Sequence, residues 1–360
     1  MSTPQEQNKK TTTDALAPTL STSDVDLADL DVSLIKRVVM SPSFALSVAI
    51  GLFVIFGLTQ SPQFANPQAW INILRDATLI AMPAAFACIV LVSGGLDLSV
   101  GSVLVAGAMA SAAVASAGLG AGTAFLAGTV VGAVIGLING FFVNFAKIPP
   151  IIVTLGSLFA VRAAVVASTG GNPIGPLPDD FTFWGQGDIF GVPIVIMVGL
   201  VAVVAAHIVL SQTNYGWSIR AIGGNLIAAR SAGIAVRKVS ISVYVLSGTA
   251  AAFTGVVLAA RLGSGSPTFG QGYELQVIAA AVIGGTSIYG AIGTVPGAAL
   301  GALLLSVLSN GLVLLKIDPT WQNFVIGVVL VAAAGLDVFR RRQMFRVSAK
   351  RTAASRKVSS

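Results

Sequence analysis

Apolar runs of helical length recur along most of the chain and alternate with short polar or glycine-rich breaks. An α-helix needs about 20 such residues to cross a bilayer. The pattern predicts an all-α membrane protein with about ten spanning helices, at about 43–59, 71–92, 98–117, 124–145, 148–167, 192–210, 239–260, 275–292, 294–315 and 320–339. At 94–102 and 284–294 glycine interrupts the apolar sequence, and these two breaks are predicted to be either loops or re-entrant segments.

The polar ends of the chain are predicted to lie outside the membrane. Residues 1–40 form an acidic tail. The first apolar run of the chain begins only after Lys36 and Arg37, so the N-terminal segment does not have the pattern of a secretory signal. Residues 340–360 form a basic tail. The membrane domain is therefore predicted at 41–339, with a long polar loop at 211–238.

The positive charges predict the orientation. If the N-terminus is cytoplasmic, 17 of the 21 lysines and arginines lie on the cytoplasmic side, counting those in the two tails. This distribution satisfies the positive-inside rule for an even number of spans and places both termini in the cytoplasm. It also accounts for the net charge of +7, so a nucleic-acid partner is not expected.

The composition excludes several classes of protein. Only 10% of the residues are charged and 55% are apolar, whereas about a quarter are charged in soluble domains. The chain has one histidine, one cysteine and two glutamates, too few for a zinc, haem or iron–sulfur centre. No metal site is predicted.

The first break carries an acid beside the start of a predicted helix. Its motif consists of Gly94, Gly95, Asp97, Ser99 and Gly101. Asp97 is placed to cap the following helix with its carboxylate. An acid at membrane depth is costly unless it is paired or hydrated, so a place on a transport pathway or gate is the alternative.

The second break repeats the first in weaker form, with the residues Gly284, Gly285, Thr286 and Ser287. Each break is followed by a helix of small residues and later by a similar string, from Asn139 to Lys147 and from Asn310 to Lys316. These echoes predict an internal pseudo-repeat, either parallel or inverted. Glycine-interrupted spans in corresponding halves are typical of transport pathways.

The loop at 211–238 predicts a short helix from Leu226 to Ala232. Asn225 is a preferred N-cap residue, and Gly233 is a preferred residue just after a helix end. Loops this long are uncommon as plain connectors, so the segment is predicted to dock a partner. The acidic and aromatic loop at 168–192 on the other side is interpreted either as a partner site or as an interfacial anchor.

Four strings together resemble one family: GGLDLSVG at 94–101, IPPIIVTLG at 148–156, AIGGN with the following AAR and GI at 221–234, and YVLSG, GYEL and GGTS between 244 and 287. They resemble the permease subunits of bacterial ABC sugar importers of the ribose/xylose/arabinose type, in carbohydrate uptake family 2 of the branched-chain amino acid/sugar permease superfamily. The likeness covers about residues 45–338. Leu226 and Ile227 stand where the family usually has Pro-Glu.

The resemblance implies a type II ABC importer-like fold and a pore-forming, non-enzymatic subunit of the bacterial inner membrane. Its implied partners are a cytoplasmic ABC ATPase, a periplasmic sugar-binding protein and a second permease subunit, as a homodimer or a heterodimer. ATP and magnesium would be bound by the ATPase, and no cofactor is expected in this chain. The implied ATPase-coupling loop includes Arg220, Gly223, Gly224, Asn225, Ala228, Ala229, Arg230 and Gly233.

Other functions are weighed against this one. The sequence has no Gly-Lys pair, so the phosphate-binding P-loop is absent from it and ATP hydrolysis is assigned to another chain. An ion-coupled symporter needs mid-membrane acids, whereas Asp97, Glu274 and Asp337 lie near span ends. An intramembrane enzyme needs a nucleophile with a base and is disfavoured, because the single histidine, His207, lies beside Ala205 and Ala206 near a span end, as an interfacial residue would. Weak candidates for the sugar pathway are Asn139, Asn144, Gln271, Tyr273, Glu274 and Asn310.

Overall fold

The structure is a computed structural model that describes residues 42–318 and, beyond them, residues 321, 324, 327, 328, 331 and 335. Both predicted tails and most of the predicted span at 320–339 lie outside the described residues. The described part is largely helical. Its two short strands, β1 (Asp188–Ile189) and β2 (Val192–Pro193), pair antiparallel.

The helices follow the predicted spans closely. They are α1 (Pro42–Gln60), α2 (Pro67–Val92), α3 (Val100–Ser116), α4 (Ala121–Asn144), α5 (Pro150–Thr169), α6 (Asp179–Gln186), α7 (Ile194–Gln212), α8 (Asn214–Gly224), α9 (Leu226–Ser231), α10 (Val236–Leu262), α11 (Tyr273–Ile283) and α12 (Val295–Leu314), with a 3₁₀ turn at Pro62–Ala65. Six of the described helices are long and apolar enough to cross a membrane. The prediction of an all-α polytopic membrane protein is confirmed.

One predicted span is wrong in its extent. The span predicted at 275–292 is the helix α11, which has 11 residues and ends at Ile283. A helix of this length is about 16 Å long, roughly half of the hydrocarbon core. Gly285 adopts a left-handed conformation with φ of 89°, and the backbone is non-helical from Gly284 to Thr294. The break predicted at 284–294 is present, and the predicted span wrongly overlaps it.

Both breaks are irregular backbone whose polar side chains at four positions are buried in protein. The first break, residues 93–99, joins α2 to α3, and the second, residues 284–294, joins α11 to α12. Asp97, Ser99, Thr286 and Ser287 are each at most 4% exposed. Irregular backbone at membrane depth is tolerated where protein rather than lipid surrounds it.

Close helix packing through glycine forms the centre of the bundle. The helix α10 packs against α3 and α4, and α2 packs against α12. On α4 a glycine recurs every fourth residue. Gly128 faces the Val256 side chain of α10 and the backbone of α3, and the other three face the backbone of α10: Gly132, Gly136 and Gly140. Spacing of small residues by four lets helix backbones approach closely, which is how membrane helices associate without a hydrophobic gain.

The structure also locates the predicted repeat. The two breaks lie at the same end of the bundle, because Ala291 N donates to Val92 O at 2.9 Å. The two Asn-to-Lys strings end alike, with Lys147 and Lys316 in the left-handed region at φ of 56° and 59°. Asn139 contacts the first break, whereas Asn310 lies at the far end of α12. The breaks and the strings are therefore not related by one common operation.

Candidate functional site

The loop at 211–238 is built from two short helices joined by Asn225. The Asn225 side chain accepts hydrogen bonds from Ile227 N and Ala228 N, both at 3.0 Å, and so caps α9. Gly233 follows the helix with φ of 80°. The predicted short helix and its cap are thus present, with the helix ending at Ser231. Local capping chemistry is sufficient to fix this element.

This pair of helices is anchored on one side and open on the other. Ile222, Ala229 and Val236 form a small buried core beneath α9. Ile227 is 78% exposed and Trp217 is 69% exposed. The exposed surface of α8 and α9, formed by Trp217, Leu226, Ile227 and Arg230, is called the α8–α9 surface below.

A tyrosine attaches α8 to the bundle. The Tyr215 hydroxyl lies 2.7 Å from Ser242 Oγ on α10. Burial raises the pKa of the Tyr215 phenol, and the hydrogen bond to Ser242 offsets part of that rise. The phenol therefore stays neutral at physiological pH and keeps this contact.

The end of α8 meets both breaks at one point, which we call the glycine junction and define by Val92, Gly94, Gly223, Gly290 and Ala291. A side-chain carbon on Gly223 would overlap the Val92 carbonyl oxygen and come within 2.8 Å of Ala291 N. One on Gly290 would lie 2.7 Å from Gly223 O. The contact is therefore backbone on backbone, and glycine is required at Gly223 by space alone.

Arg220 strengthens the attachment of α8 to the second break. Its guanidinium donates to the carbonyl oxygen of Gly293 at 3.2 Å. Gly224, the neighbour of Gly223, is exposed and has open space around it, since the nearest atom to an added carbon is Ala291 Cβ at 3.7 Å. The two predicted breaks and the predicted docking loop are thus brought together, a convergence that the sequence did not indicate.

Asp97 is the centre of a buried polar cluster, defined as Asp97, Ser99, Asn139 and Ser247. One carboxylate oxygen accepts from Ser99 N at 2.9 Å and Ser99 Oγ at 2.6 Å. The other accepts from Ser247 Oγ on α10 at 2.7 Å. Asn139 on α4 donates to Ser99 Oγ at 3.0 Å. The carboxylate binds the backbone just before α3, where Ser99 is the N-cap residue, and also links that segment to α10.

Three of the weak pathway candidates lie together at the start of α11. Gln271 is exposed, and Tyr273 and Glu274 begin the helix. A carbon added to Gly101 would overlap Glu274 Oε2, so α3 and α11 are in close contact there. Arg162 on α5 donates to the carbonyl oxygens of Phe269 at 3.0 Å and Gly270 at 2.9 Å. No pattern in the sequence indicates this contact of Arg162, which joins residues more than 100 positions apart.

The two remaining candidates lie elsewhere. Asn144 donates to Gly140 O of its own helix at 2.8 Å. Asn310 donates to Asp76 Oδ2 at 3.1 Å, and Asp76 forms an ion pair with Arg261 at 2.6 Å. This tie joins α2, α10 and α12 at the end of the bundle opposite the breaks.

Comparison with known proteins decides the family. Residues 68–334 match the family described as branched-chain amino acid transport system / permease component. The chain belongs to this permease family. Its members transport solutes, so the permease is a multi-pass membrane transport component rather than an enzyme. No solved structure gives a significant match.

Curated relatives agree with this assignment. The permease is 36% identical over 292 residues to the ribose import permease protein RbsC of Bacillus subtilis (strain 168), covering 80% of this chain and 91% of the relative. It is 36% identical over 294 residues to RbsC of Escherichia coli (strain K12), covering 80% and 92%. It is 33% identical over 293 residues to the autoinducer 2 import system permease protein LsrC of Yersinia enterocolitica, covering 81% of each chain.

Proposed function

We propose that this permease is the membrane-spanning subunit of an ATP-driven, binding-protein-dependent importer for a monosaccharide, with D-ribose as the first substrate to test. The glycine junction carries the proposal. It places an exposed surface on a segment whose backbone rests against both breaks. A protein that pushes on this surface therefore moves both breaks together. The relatives named for ribose and autoinducer 2 import support the substrate class.

The proposed partners follow from the two ends of the bundle. A cytoplasmic ABC ATPase, which binds ATP and magnesium, docks on the α8–α9 surface. A periplasmic sugar-binding protein docks at the opposite end, where Phe190 is fully exposed beside α6. A second permease subunit, in a homodimer, completes the pore. Both termini lie in the cytoplasm, as the positive charges predict.

An ion-coupled symporter is not favoured. That mechanism requires an intramembrane acid open to an ion or proton pathway. Asp97 is 4% exposed and each of its oxygens accepts at least one hydrogen bond. The named relatives are import permease proteins.

The proposal is tested by reconstituting the permease with its ATPase and binding protein in proteoliposomes. Uptake of D-ribose, other pentoses, hexoses and autoinducer 2 is measured with ATP inside and without an ion gradient. We expect ATP-dependent uptake of one sugar that requires the binding protein. Uptake that persists without ATP and collapses when a proton or sodium gradient is removed would establish the symporter instead.

A substitution on the α8–α9 surface tests whether the ATPase docks there. Ile227→Glu places a charge on the most exposed apolar residue of α9 and should reduce co-purification of the ATPase by at least about tenfold, the usual cost of disrupting a central contact. The matched control is Ile189→Glu, an exposed isoleucine on β1. Equal loss of the ATPase in both variants, or retention in both, would contradict docking on the α8–α9 surface.

A further inference from the structure

The first break contains its own hinge. Gly94 adopts φ of 80° and is followed by a second glycine. A diglycine bends at little cost. Motion of Gly223 against Val92 and Gly94 would therefore be absorbed at Gly94 and Gly95 unless the segment beyond them is fastened to the rest of the bundle.

The buried polar cluster supplies that fastening. Within the segment, Asp97 and Ser99 are closed into one turn by the two bonds from Ser99 to a single carboxylate oxygen. The second oxygen is left to bind Ser247 of α10, 150 residues along the chain. Ser99 Oγ in turn accepts from Asn139 of α4. The turn is thus attached to two helices.

These two helices are in direct backbone contact. A carbon added to Gly132 of α4 would overlap Gly248 O of α10, and one on Gly248 would overlap Gly132 O. Ser247 is the neighbour of Gly248, and Asn139 lies between Gly136 and Gly140 on α4. A displacement that reaches Asp97 would therefore act on two helices that are packed backbone to backbone.

The second break is fastened differently. Thr286 Oγ1 donates to Cys88 Sγ at 3.2 Å, and Ser287 N closes the loop by donating to Ile292 O at 2.8 Å. Burial of a carboxylate at membrane depth is costly, and such acids are retained where they serve the transport cycle. Asp97 is 4% exposed, so its buried carboxylate favours a role in transport beyond closing a turn.

We propose that the Asp97–Ser247 hydrogen bond is the positioning contact that carries motion of the α8–α9 surface past the diglycine hinge to α10 and α4. Asp97 and Ser247 act through the helices they join and need no contact with the sugar. The proposal rests on the proposed function, because it assumes that ATP-driven motion enters at α8–α9.

The test compares sugar uptake with ATP hydrolysis in the reconstituted complex. Ser247→Ala removes the link to α10 and leaves the turn of Asp97 with Ser99 intact. We expect the number of sugar molecules imported per ATP to fall about tenfold, within the range of coupling free energies between sites. A purely structural defect lowers uptake and ATP hydrolysis together and leaves their ratio unchanged.

Two further variants complete the test. Ser247→Thr keeps the hydroxyl and should keep the ratio within about twofold of the original protein. Ser111→Ala is the matched control, since Ser111 is fully buried on α3 and bonds only to Ala108 O of its own helix. It should leave the ratio unchanged. The melting temperature of each complex is recorded, and the ratio is measured on whatever fraction is folded.

The outcomes separate the two proposals. No ATP-dependent uptake by the unaltered complex overturns the proposed function itself. Normal uptake by that complex, with an unchanged ratio in Ser247→Ala, overturns only the role of the Asp97–Ser247 bond. An equal fall in Ser247→Ala and Ser247→Thr, or in Ser247→Ala and Ser111→Ala, also overturns it, because the loss would then come from packing rather than from the hydroxyl.

Discussion

Gly223 and Gly224 are adjacent in the chain but have opposite surroundings. A methyl group on Gly223 would overlap the Val92 carbonyl oxygen, whereas one on Gly224 meets nothing closer than 3.7 Å. Neither residue requires positive φ. An alanine substitution at each position therefore distinguishes a disturbed glycine junction from a general effect on α8. Only Gly223→Ala forces α8 away from Val92 and Ala291.

We predict that Gly223→Ala lowers ATP-driven uptake at least about tenfold, because misplacing a packed backbone contact costs about 1–3 kcal/mol. Gly224→Ala should retain uptake within about twofold. Uptake is measured in proteoliposomes at equal amounts of assembled complex. Equal activity of the two variants would mean that the contact of Gly223 with Val92 is not needed for transport.

Residue chemistry explains which parts of the site were predictable. The cap of α9 is local, so Asn225 and Gly233 indicated it directly. The bond between Asp97 and Ser247 spans 150 positions, and a single sequence carries no signal for such a contact. Ser247 lies in the YVLSG string, which drew attention only as part of the family resemblance.

At the scale of elements, apolar length predicted the helices well but not the end of α11. Eight predicted spans match described helices because a bilayer demands long apolar runs. The span predicted at 275–292 runs past Ile283 into the glycine-rich break, whose backbone contacts Val92 and Gly223. Hydropathy measures the cost of burial and does not distinguish burial in lipid from burial in protein.

The glycine spacing of α4 makes a prediction about stability. Alanine usually stabilises a helix interior by up to about 1 kcal/mol relative to glycine. Gly122, near the start of α4, has no atom within 4 Å of an added carbon, whereas at Gly136 that carbon would lie 2.9 Å from Val245 Cα. Gly122→Ala should leave the melting temperature in detergent unchanged or raise it.

Gly136→Ala should instead lower the stability by about 1–3 kcal/mol, because α4 and α10 must separate to admit the methyl group. The measurement is the thermal unfolding of the purified permease in one detergent, with both variants beside the original protein. If Gly136→Ala were as stable as Gly122→Ala, the close approach of α4 to α10 would be incorrect.

At the scale of the whole molecule, the two ends of the bundle are built differently. One end has the glycine junction, where backbone contacts converge and the exposed α8–α9 surface lies. The opposite end is tied by the ion pair of Asp76 and Arg261, with Asn310 joining from α12. ATP-driven transport requires the first end to face the cytoplasm, so the orientation of the chain is a direct test of the proposal.

Single cysteines report that orientation. The native Cys88 is fully buried in α2 and should give little background with a maleimide. Phe190→Cys and Ile227→Cys place a thiol at a highly exposed position at each end. In intact spheroplasts, a membrane-impermeant maleimide should label Phe190→Cys at once and Ile227→Cys only after the membrane is opened. The positive charges near α8–α9 favour this orientation by the positive-inside rule. The reverse labelling would put the α8–α9 surface outside the cell, where no ATP-driven partner operates, and would refute the proposed docking.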